Sequence, residues 1–451
     1  MSINRKMFIK SVFGAAGGVV MPPMEACAAE GGSSAFREPV RELPVVADCD
    51  ILVCGGGPAG IATAVAAARG GAKVRLLELR GSLGGIWTSG LLGCMLDFGR
   101  GALAKELLSR LDAHSARRSN FYSDNDRTFV YEPEYMKAVC EAMCLESGVK
   151  VQLDTRVVAA YRDIGARNVD VVVTESKSGR QAWRARTFVD ATGDGDLAAF
   201  AGCGFDIGFA DGRDQPASMM AVLSTPDVDA LAPFVLNGGG EYGATVKAFR
   251  DEIKRAGMTP SYGNPTLYRL TRNLVLMMAN HEYGVKIDDA AGITAATIHA
   301  RRENVNIVVA LARLGGVWSG LRVAATAEQL GHRTARRIHG RYTLTRADVI
   351  AGARFDDAAG ESRFPVDVHA MTKKDDAVSA MGVTAKPFQI PIRAMRSRDL
   401  DNLYMAGRCI SGDPIALASY RVTGPAFQMG ESLGRHLSVG AKGSTSSGLT
   451  V

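Results

Sequence analysis

The sequence predicts an α/β fold built on a parallel sheet and interrupted by a long segment of different pattern. Three observations predict this. A strand, a glycine turn, a helix and a second strand follow one another between residues 49 and 78. Two further strand-to-glycine junctions stand far downstream, at residues 187–194 and 402–408. Between residues 205 and 388 lie about 180 residues with a different pattern. The chain has 451 residues, 47% apolar and 22% charged, which is long for one module and suits two interleaved domains around a large core. This composition excludes wholesale disorder, a collagen repeat and a coiled coil. The net charge of +6 comes from scattered Lys and Arg, so it is no footprint for nucleic acid.

The first element is Cys49-Asp50-Ile51-Leu52-Val53-Cys54, a short apolar run suited to a strand buried on both faces. Gly55-Gly56-Gly57-Pro58-Ala59-Gly60 follows and matches GxGxxG. Ile61 to Arg69 is Ala-rich and helix-forming, and Gly70-Gly71 stops it. Lys73 to Leu77 is the second strand, ending at Glu78, 23 residues after Gly55. Each residue type has a reason: Gly55 makes the tight turn, Gly57 admits a pyrophosphate to the backbone, and Gly60 lets helix and strand approach. The helix N-terminus offers free N–H groups and the positive end of its dipole. Glu78 can accept from both hydroxyls of an unphosphorylated ribose.

A second GxGxxG, Gly238-Gly240-Gly243, serves as a control. Only four apolar residues precede it, Tyr242 is bulky inside the turn, and no strand-ending acid follows. It reads as a flexible loop and a chance match.

Three later segments complete the pattern. Arg80-Gly81-Ser82-Leu83-Gly84-Gly85 follows Glu78 directly, and its glycine pair permits close passage of the backbone beneath a ligand. Thr187 to Asp194 reads as a strand ending in a small-residue turn. Asn402 to Arg408 is a third strand-to-glycine junction, with a helix from about Val422 to His436. The set GGGPAG, GxxGG, DATGDGD and NLYMAGRCIS resembles the glutathione-reductase-type FAD-dependent oxidoreductases. More narrowly it resembles a bacterial FAD-dependent oxidoreductase family, over residues 49–205 and again in the segments beginning at Gly331, Tyr342, Phe364 and Ile390.

That resemblance implies a Rossmann-like FAD-binding domain of glutathione-reductase type with an inserted α+β substrate or cap domain. The implied boundaries are 49–205 and 388–440 for the discontinuous FAD domain and 206–387 for the cap. It implies FAD as cofactor, held with Gly55, Gly57, Pro58, Ala59 and Gly60 at the pyrophosphate. Glu78, Leu79 and Arg80 would lie at the adenosine ribose, Gly84 and Gly85 beside the ribityl chain, and Val157 at the adenine edge. Ala191, Thr192 and Gly193 would cross the adenosine half. Gly407 and Arg408 would approach the ribityl chain, with Asp413 as an alternative acidic contact. The backbone of Arg421, Val422 and Thr423 would lie at the pyrimidine edge of the flavin, where a helix start stabilises negative charge. No His stands near Gly84-Gly85 to anchor the flavin, so the expectation is non-covalent FAD.

The ends carry their own signals. Residues 1–28 read as an export signal: a basic stretch with Arg5, Lys6 and Lys10, a weakly apolar stretch from Val12 to Met21, and Ala26-Cys27-Ala28 as the cleavage site. The stretch resembles a twin-arginine (Tat) signal with Lys6 in the second arginine's place, which implies a periplasmic destination. Residues 29–48 read as a linker and 441–451 as a disordered tail. No stretch is long and apolar enough to span a bilayer. The cysteines left after cleavage are odd in number and lack CxxC, so no disulfide framework is expected.

For the reaction itself, removing a hydride from an alcohol or amine needs a base, and reducing an activated alkene needs an acid with an arginine clamp. The candidate catalytic residues are His369, Arg393, His332 and Arg336, with Arg333, Asp367 and Arg421 beside them. Asp367 and His369 share a face if their segment is a strand. Arg393, on the strand leading back to the FAD domain, is expected to face the substrate. No three or four residues have metal-ligand spacing, so no metal is expected. The expected function is hydride transfer between the flavin and a small organic substrate, with an unidentified electron acceptor and no nucleic-acid partner. The rivals are a reductase of an unsaturated acid, an NAD(P)H-using hydroxylase, and a non-catalytic redox sensor or electron-transfer partner.

Overall fold

Four consecutive buried residues, Ile51–Cys54, form β1. The protein is seen here in a computed structural model, which describes residues 36, 38–120, 126–162, 165, 167–375 and 377–442. The expected export signal lies outside the described residues, as does the tail beyond residue 442. Helix α1 (Pro58–Arg69) opens with Pro58 in its first turn, where a missing N–H costs nothing, and closes with Arg69 against the dipole's negative end. Strand β2 (Val74–Leu77) pairs in parallel with β1, Val53 opposite Leu76. Helix α2 (Pro133–Glu146) carries Cys140 and Cys144, both buried as free thiols. Strand β3 (Lys150–Gln152) extends the sheet beside β2. A three-stranded meander follows: β4 (Arg156–Tyr161), β5 (Val171–Ser176) and β6 (Gly179–Trp183). Val45–Val46, expected as linker, runs parallel to the end of β6. Strand β7 (Thr187–Asp190) then returns to pair with the other edge of β1.

The cap is a four-stranded antiparallel sheet covered by helices. It contains β8 (Met220–Ser224), helix α3 (Tyr242–Arg255), β9 (Thr266–Arg269), β10 (Leu274–Met278), helix α4 (Ala290–Arg313) and β11 (Arg322–Thr326). The chain then comes back through β12 (Ala358–Ser362), β13 (Val368–His369) and β14 (Phe388–Pro391). Strand β15 (Leu403–Met405), helix α5 (Pro414–Tyr420) and helix α6 (Thr423–Lys442) finish it.

The parallel sheet runs β15-β7-β1-β2-β3, so the last strand of the chain sits two places from the first. Helix α6 lies along α1 at backbone contact. A Cβ at Gly430 would stand 2.3 Å from the Ala59 carbonyl oxygen, and one at Gly434 would stand 2.3 Å from that of Thr63. Only glycine, spaced one helical turn apart, permits this approach. Packing draws the cap more narrowly than residues 206–387. Ile338, Leu344, Val349, Val366, Val368, Phe388 and Ile390 pack into the core of the parallel sheet. The cap's own cores are built from the segment between Ala217 and Leu330, with Leu91, Cys94 and Val130 reaching in. The returning segment therefore begins before Ile338, because its apolar side chains are buried against α6 and β15 rather than beneath the cap.

Candidate active site

The glycine turn is held by close contacts that exclude any side chain. Gly55 has φ +109°, and a Cβ there would lie 2.2 Å from the Ala191 carbonyl oxygen at the end of β7. A Cβ on Gly60 would lie 1.9 Å from the Gly55 carbonyl oxygen. Gly57 differs: a Cβ there would meet nothing within 4 Å, so its face of the turn is open. Gly57 caps α1 without a side-chain acceptor, and the first turn holds no acid. An open, uncapped helix start behind a glycine face suits an anionic pyrophosphate.

The second glycine motif shows the contrast. Helix α3 begins there at Tyr242, correcting the expected flexible loop, but the Glu241 carboxylate accepts from Gly243 N at 3.0 Å and Ala244 N at 2.7 Å. A carboxylate already fills the place a phosphate would take.

Around the first turn the remaining expected residues converge. Glu78 is buried and accepts from Gly56 N (2.5 Å) and Arg80 N (2.8 Å). Burial pushes its carboxyl up, and the backbone donors pull it back. Leu79 is exposed beside it. Gly84 donates its N–H to the Gly56 carbonyl at 2.8 Å, and a Cβ on Gly85 would come within 3.0 Å of Gly57 Cα. Val157 sits at a bulge in the β4–β5 pairing. Asp190, buried at the end of β7, shapes the Ala191-Thr192-Gly193 turn by accepting from Thr192 N, Thr192 Oγ1 and Ala198 N. Burial raises its carboxyl to about 6. Gly407 turns with φ +93°, and a Cβ there would touch the Ala59 Cβ at 3.4 Å. The turn from the chain's first strand and the junction after its last therefore meet.

Arg408 pairs with Asp194 (2.7 Å). Arg336 donates to the Asp194 carbonyl oxygen (3.0 Å) and to Asp196 Oδ1 (2.8 Å). Its place is thus at the Ala191–Gly193 turn. His332 feels the Asp194–Arg408 pair, and burial pushes its imidazole down. Asp413 caps α5 through Ile415 N and Ala416 N and also accepts from Arg346 N, so its oxygens are in use.

A second cluster forms between the cap and the returning segment. Asp367, just before β13, and His369 on it bring Oδ2 and Nε2 within 3.2 Å. Arg421, just before α6, donates to the Asp367 carbonyl oxygen at 2.8 Å and to Oδ2 at 2.9 Å. His369 Nδ1 stands 3.2 Å from His281 Nε2. The His281 ring stacks on Tyr262, with centroids 4.2 Å apart. Arg333 is buried and donates to the Pro216 carbonyl oxygen (2.7 Å) and Ser218 Oγ (2.8 Å). Burial and the charge of Arg333 lower His369 to about 4 and push His281 further down. Burial, then Arg421, brings Arg333 to about 10. Burial opposes charge on Asp367, yet His369, Arg421 and Arg333 together hold its carboxyl well below the usual range. The cluster therefore pairs one carboxylate and two neutral imidazoles with two guanidinium groups. A cavity of about 410 Å³ opens beside it, lined by His369, Met371, Met381, Arg213 and Lys374 among others.

Arg393 is not in this cluster, contrary to expectation. It stacks on the rings of Tyr342 (5.1 Å) and Phe355 (5.4 Å) and is half exposed. The returning strand β14 ends at Pro391, and Arg393 lies in the helical turn Ile392–Met395 that follows it, with its side chain on an aromatic pair of the returning segment. Sequence reasoning missed Tyr262 and His281 as partners of His369. Among the described residues, Glu282, His299 and Glu303 also converge. Asn280, Ser261 and their own mutual hydrogen bonds occupy those carboxylates. No helix among the described residues is long and apolar enough to cross a membrane.

The chain matches the family described as FAD dependent oxidoreductase over residues 50–447. No curated protein matches it. Among solved structures it is similar to an aromatic hydroxylase from angucycline biosynthesis, with 14% identity and a TM-score of 0.46, covering 88% of this chain and 63% of that one. It is also similar to a flavin-dependent brominase, with 12% identity and a TM-score of 0.49, covering 88% and 80%. A third is a geranylgeranyl bacteriochlorophyll reductase-like protein of Thermoplasma acidophilum, with 13% identity and a TM-score of 0.44, covering 89% and 79%. With the family matched across nearly its whole length, and the glycine turn open where that cofactor's phosphates require it, the chain belongs to the FAD-dependent oxidoreductases and uses FAD.

Proposed function

We propose that this chain is an exported, periplasmic FAD-dependent oxidoreductase that transfers a hydride between the flavin and a small organic substrate. FAD, bound non-covalently in the glutathione-reductase manner, supplies two-electron acceptance and donation. The Gly55–Gly60 turn and the start of α1 hold its pyrophosphate. Glu78, with Leu79 and Arg80, holds the adenosine ribose, Val157 the adenine, and Gly84, Gly85 and Gly407 the ribityl region. Ala191, Thr192 and Gly193 cover the adenosine half, braced through Arg408, Arg336 and Asp194. Arg421, Val422 and Thr423 border the pyrimidine edge.

Hydride transfer has to be matched by movement of a proton on the substrate. Asp367 and His369 are the groups placed for it. The observation carrying this reading is the double hydrogen bond from Arg421 to Asp367, which ties the acid–base cluster to the segment beside the flavin edge. Arg333 supplies positive charge beside His369, suited to a polar or anionic part of the substrate. Export rests on the basic N-terminal stretch and its small-residue cleavage site.

The test is anaerobic mixing of the yellow holoprotein with a panel of alcohols, amines and organic acids, and of the photoreduced protein with unsaturated acids. A compound that bleaches or restores the visible bands, with the rate reduced at least tenfold in Asp367→Asn, supports the reading. Turnover unchanged in that variant refutes the assigned pair.

A further inference from the structure

The Asp367–His369 pair continues beyond His369 as an unbroken line of titratable side chains. Asp367 Oδ2 faces His369 Nε2 at 3.2 Å, and His369 Nδ1 faces His281 Nε2 at 3.2 Å. His281 Nδ1 faces the Tyr283 hydroxyl at 3.5 Å, which also donates to the Ser261 carbonyl oxygen at 3.0 Å. The line runs from buried Asp367 and His369 to the half-buried Tyr283.

The direction of the two inner bonds in this line is fixed by its inner end. Asp367, held ionised by Arg421, can only accept. His369 must therefore carry its proton on Nε2. A neutral imidazole with Nε2–H has a bare Nδ1, so the bond to His281 must be donated by His281 Nε2–H. His281 then has a bare Nδ1, which can accept from the Tyr283 hydroxyl. Both rings being neutral follows from burial and from the nearby guanidinium groups of Arg333 and, for His369, Arg421. The other charged or titratable groups near the line are Tyr262, stacked on His281, and Glu303 and Asp375, which act on Tyr283.

We propose that Tyr283, His281 and His369 form a proton relay whose resting polarity delivers protons inward, from solvent to Asp367. In one transfer the Tyr283 hydroxyl turns its single proton from the Ser261 carbonyl oxygen to His281 Nδ1 and gives it up there, the His281 Nε2 proton passes to His369 Nδ1, and the His369 Nε2 proton to Asp367 Oδ2. Three N–H or O–H bonds break and three form. The tyrosinate left at the outer end takes a proton from water, and Asp367 now holds one to give to the site. Outward conduction from the resting state is barred, because both rings already point their protons toward Asp367. The relay thus assigns the site a reaction that consumes a proton, and Tyr283 and His281 are positioning residues for it. This rests on the reading of Asp367–His369 as the reacting end.

Two measurements on the FAD-loaded protein test the relay. Long-range proton–nitrogen correlation spectra of histidine-labelled protein at pH 7 should show both His281 and His369 neutral, with the proton on Nε2. A doubly protonated ring, or a proton on Nδ1 of either, overturns the polarity. Reducing the bound flavin with dithionite while a pH indicator reports proton uptake gives the second. In wild type, uptake should keep pace with bleaching. In Tyr283→Phe and in His281→Asn it should lag at least tenfold, with the extent of bleaching unchanged. Tyr135→Phe, at an exposed tyrosine on α2 outside the line, should behave as wild type. Uptake in Tyr283→Phe that keeps pace with bleaching overturns the relay. A protein lacking flavin bands would instead fail the reading of the cofactor site, so the two failures are told apart before mixing begins.

Discussion

Gly55 shows how much a single position decides. Its positive φ and the 2.2 Å clearance to the Ala191 carbonyl leave no room for a methyl group. Gly55→Ala combines backbone strain of about 1–3 kcal/mol with a backbone clash that must push β7 away from β1. We expect purified Gly55→Ala to lose its flavin bands and to melt several degrees lower, as differential scanning calorimetry would show. His369 sets a pH dependence. Its folded value near 4 lies below the ordinary 6.5, so between those values the unfolded chain binds a proton that the native site refuses. Stability therefore falls as pH drops from 6.5 toward 4, by about 1.4 kcal/mol per pH unit from this group. Asp190 works in the opposite sense, since its raised value near 6 makes the native state bind the extra proton between about 4 and 6. The variant His369→Gln removes only the first effect, so its melting temperature should fall less than that of wild type over the same acid range. An identical acid limb in both proteins would contradict the buried neutral imidazole.

Elements divide into those that local sequence determines and those that need the tertiary fold. The β1–turn–α1–β2 unit was legible because every requirement is local: the apolar run, the glycines, Pro58 at the helix start and Glu78 at the strand end. Asp367 and His369 were legible as a pair because strand periodicity puts residues two apart on one face. His281 and Tyr262 were not, since their partnership with His369 joins residues about 90 to 110 positions apart across the cap, and no spacing encodes it. Arg393 misled for the same reason: the strand stops at Pro391, a helical turn carries Arg393, and the rings of Tyr342 and Phe355 capture its side chain. The second glycine motif was rightly separated from the first, yet it does open a helix, and Glu241 is what disarms it. The α1–α6 contact supplies a prediction at this scale. Gly430→Ala would place a methyl group 2.3 Å from the Ala59 carbonyl oxygen, in the Gly55–Gly60 turn. Overpacking of this kind costs about 1–3 kcal/mol, and urea denaturation should show that loss together with weaker retention of FAD on dialysis.

At the scale of the whole molecule, one sheet gathers strands from both ends of the chain, and the antiparallel cap sheet is inserted between them in sequence. The returning segment, which the sequence left inside the cap, belongs by packing to the parallel sheet. This is why Asp367 can reach Arg421. On the proposed reading of residues 1–28 as an export signal, their removal should leave flavin content and melting temperature unchanged while abolishing export, as fractionation of expressing cells would show. Acid precipitation should release all of the yellow colour into the supernatant, as the proposed non-covalent binding requires.

The most direct measurement is a crystal structure of the purified, yellow protein. Electron density for FAD should run from the Gly55–Gly60 turn past Gly407, with the flavin ring beside residues 421–423 and within reach of the Asp367–His369 pair. Density that places the pyrophosphate elsewhere, or turns the ring away from Arg421, would contradict the account.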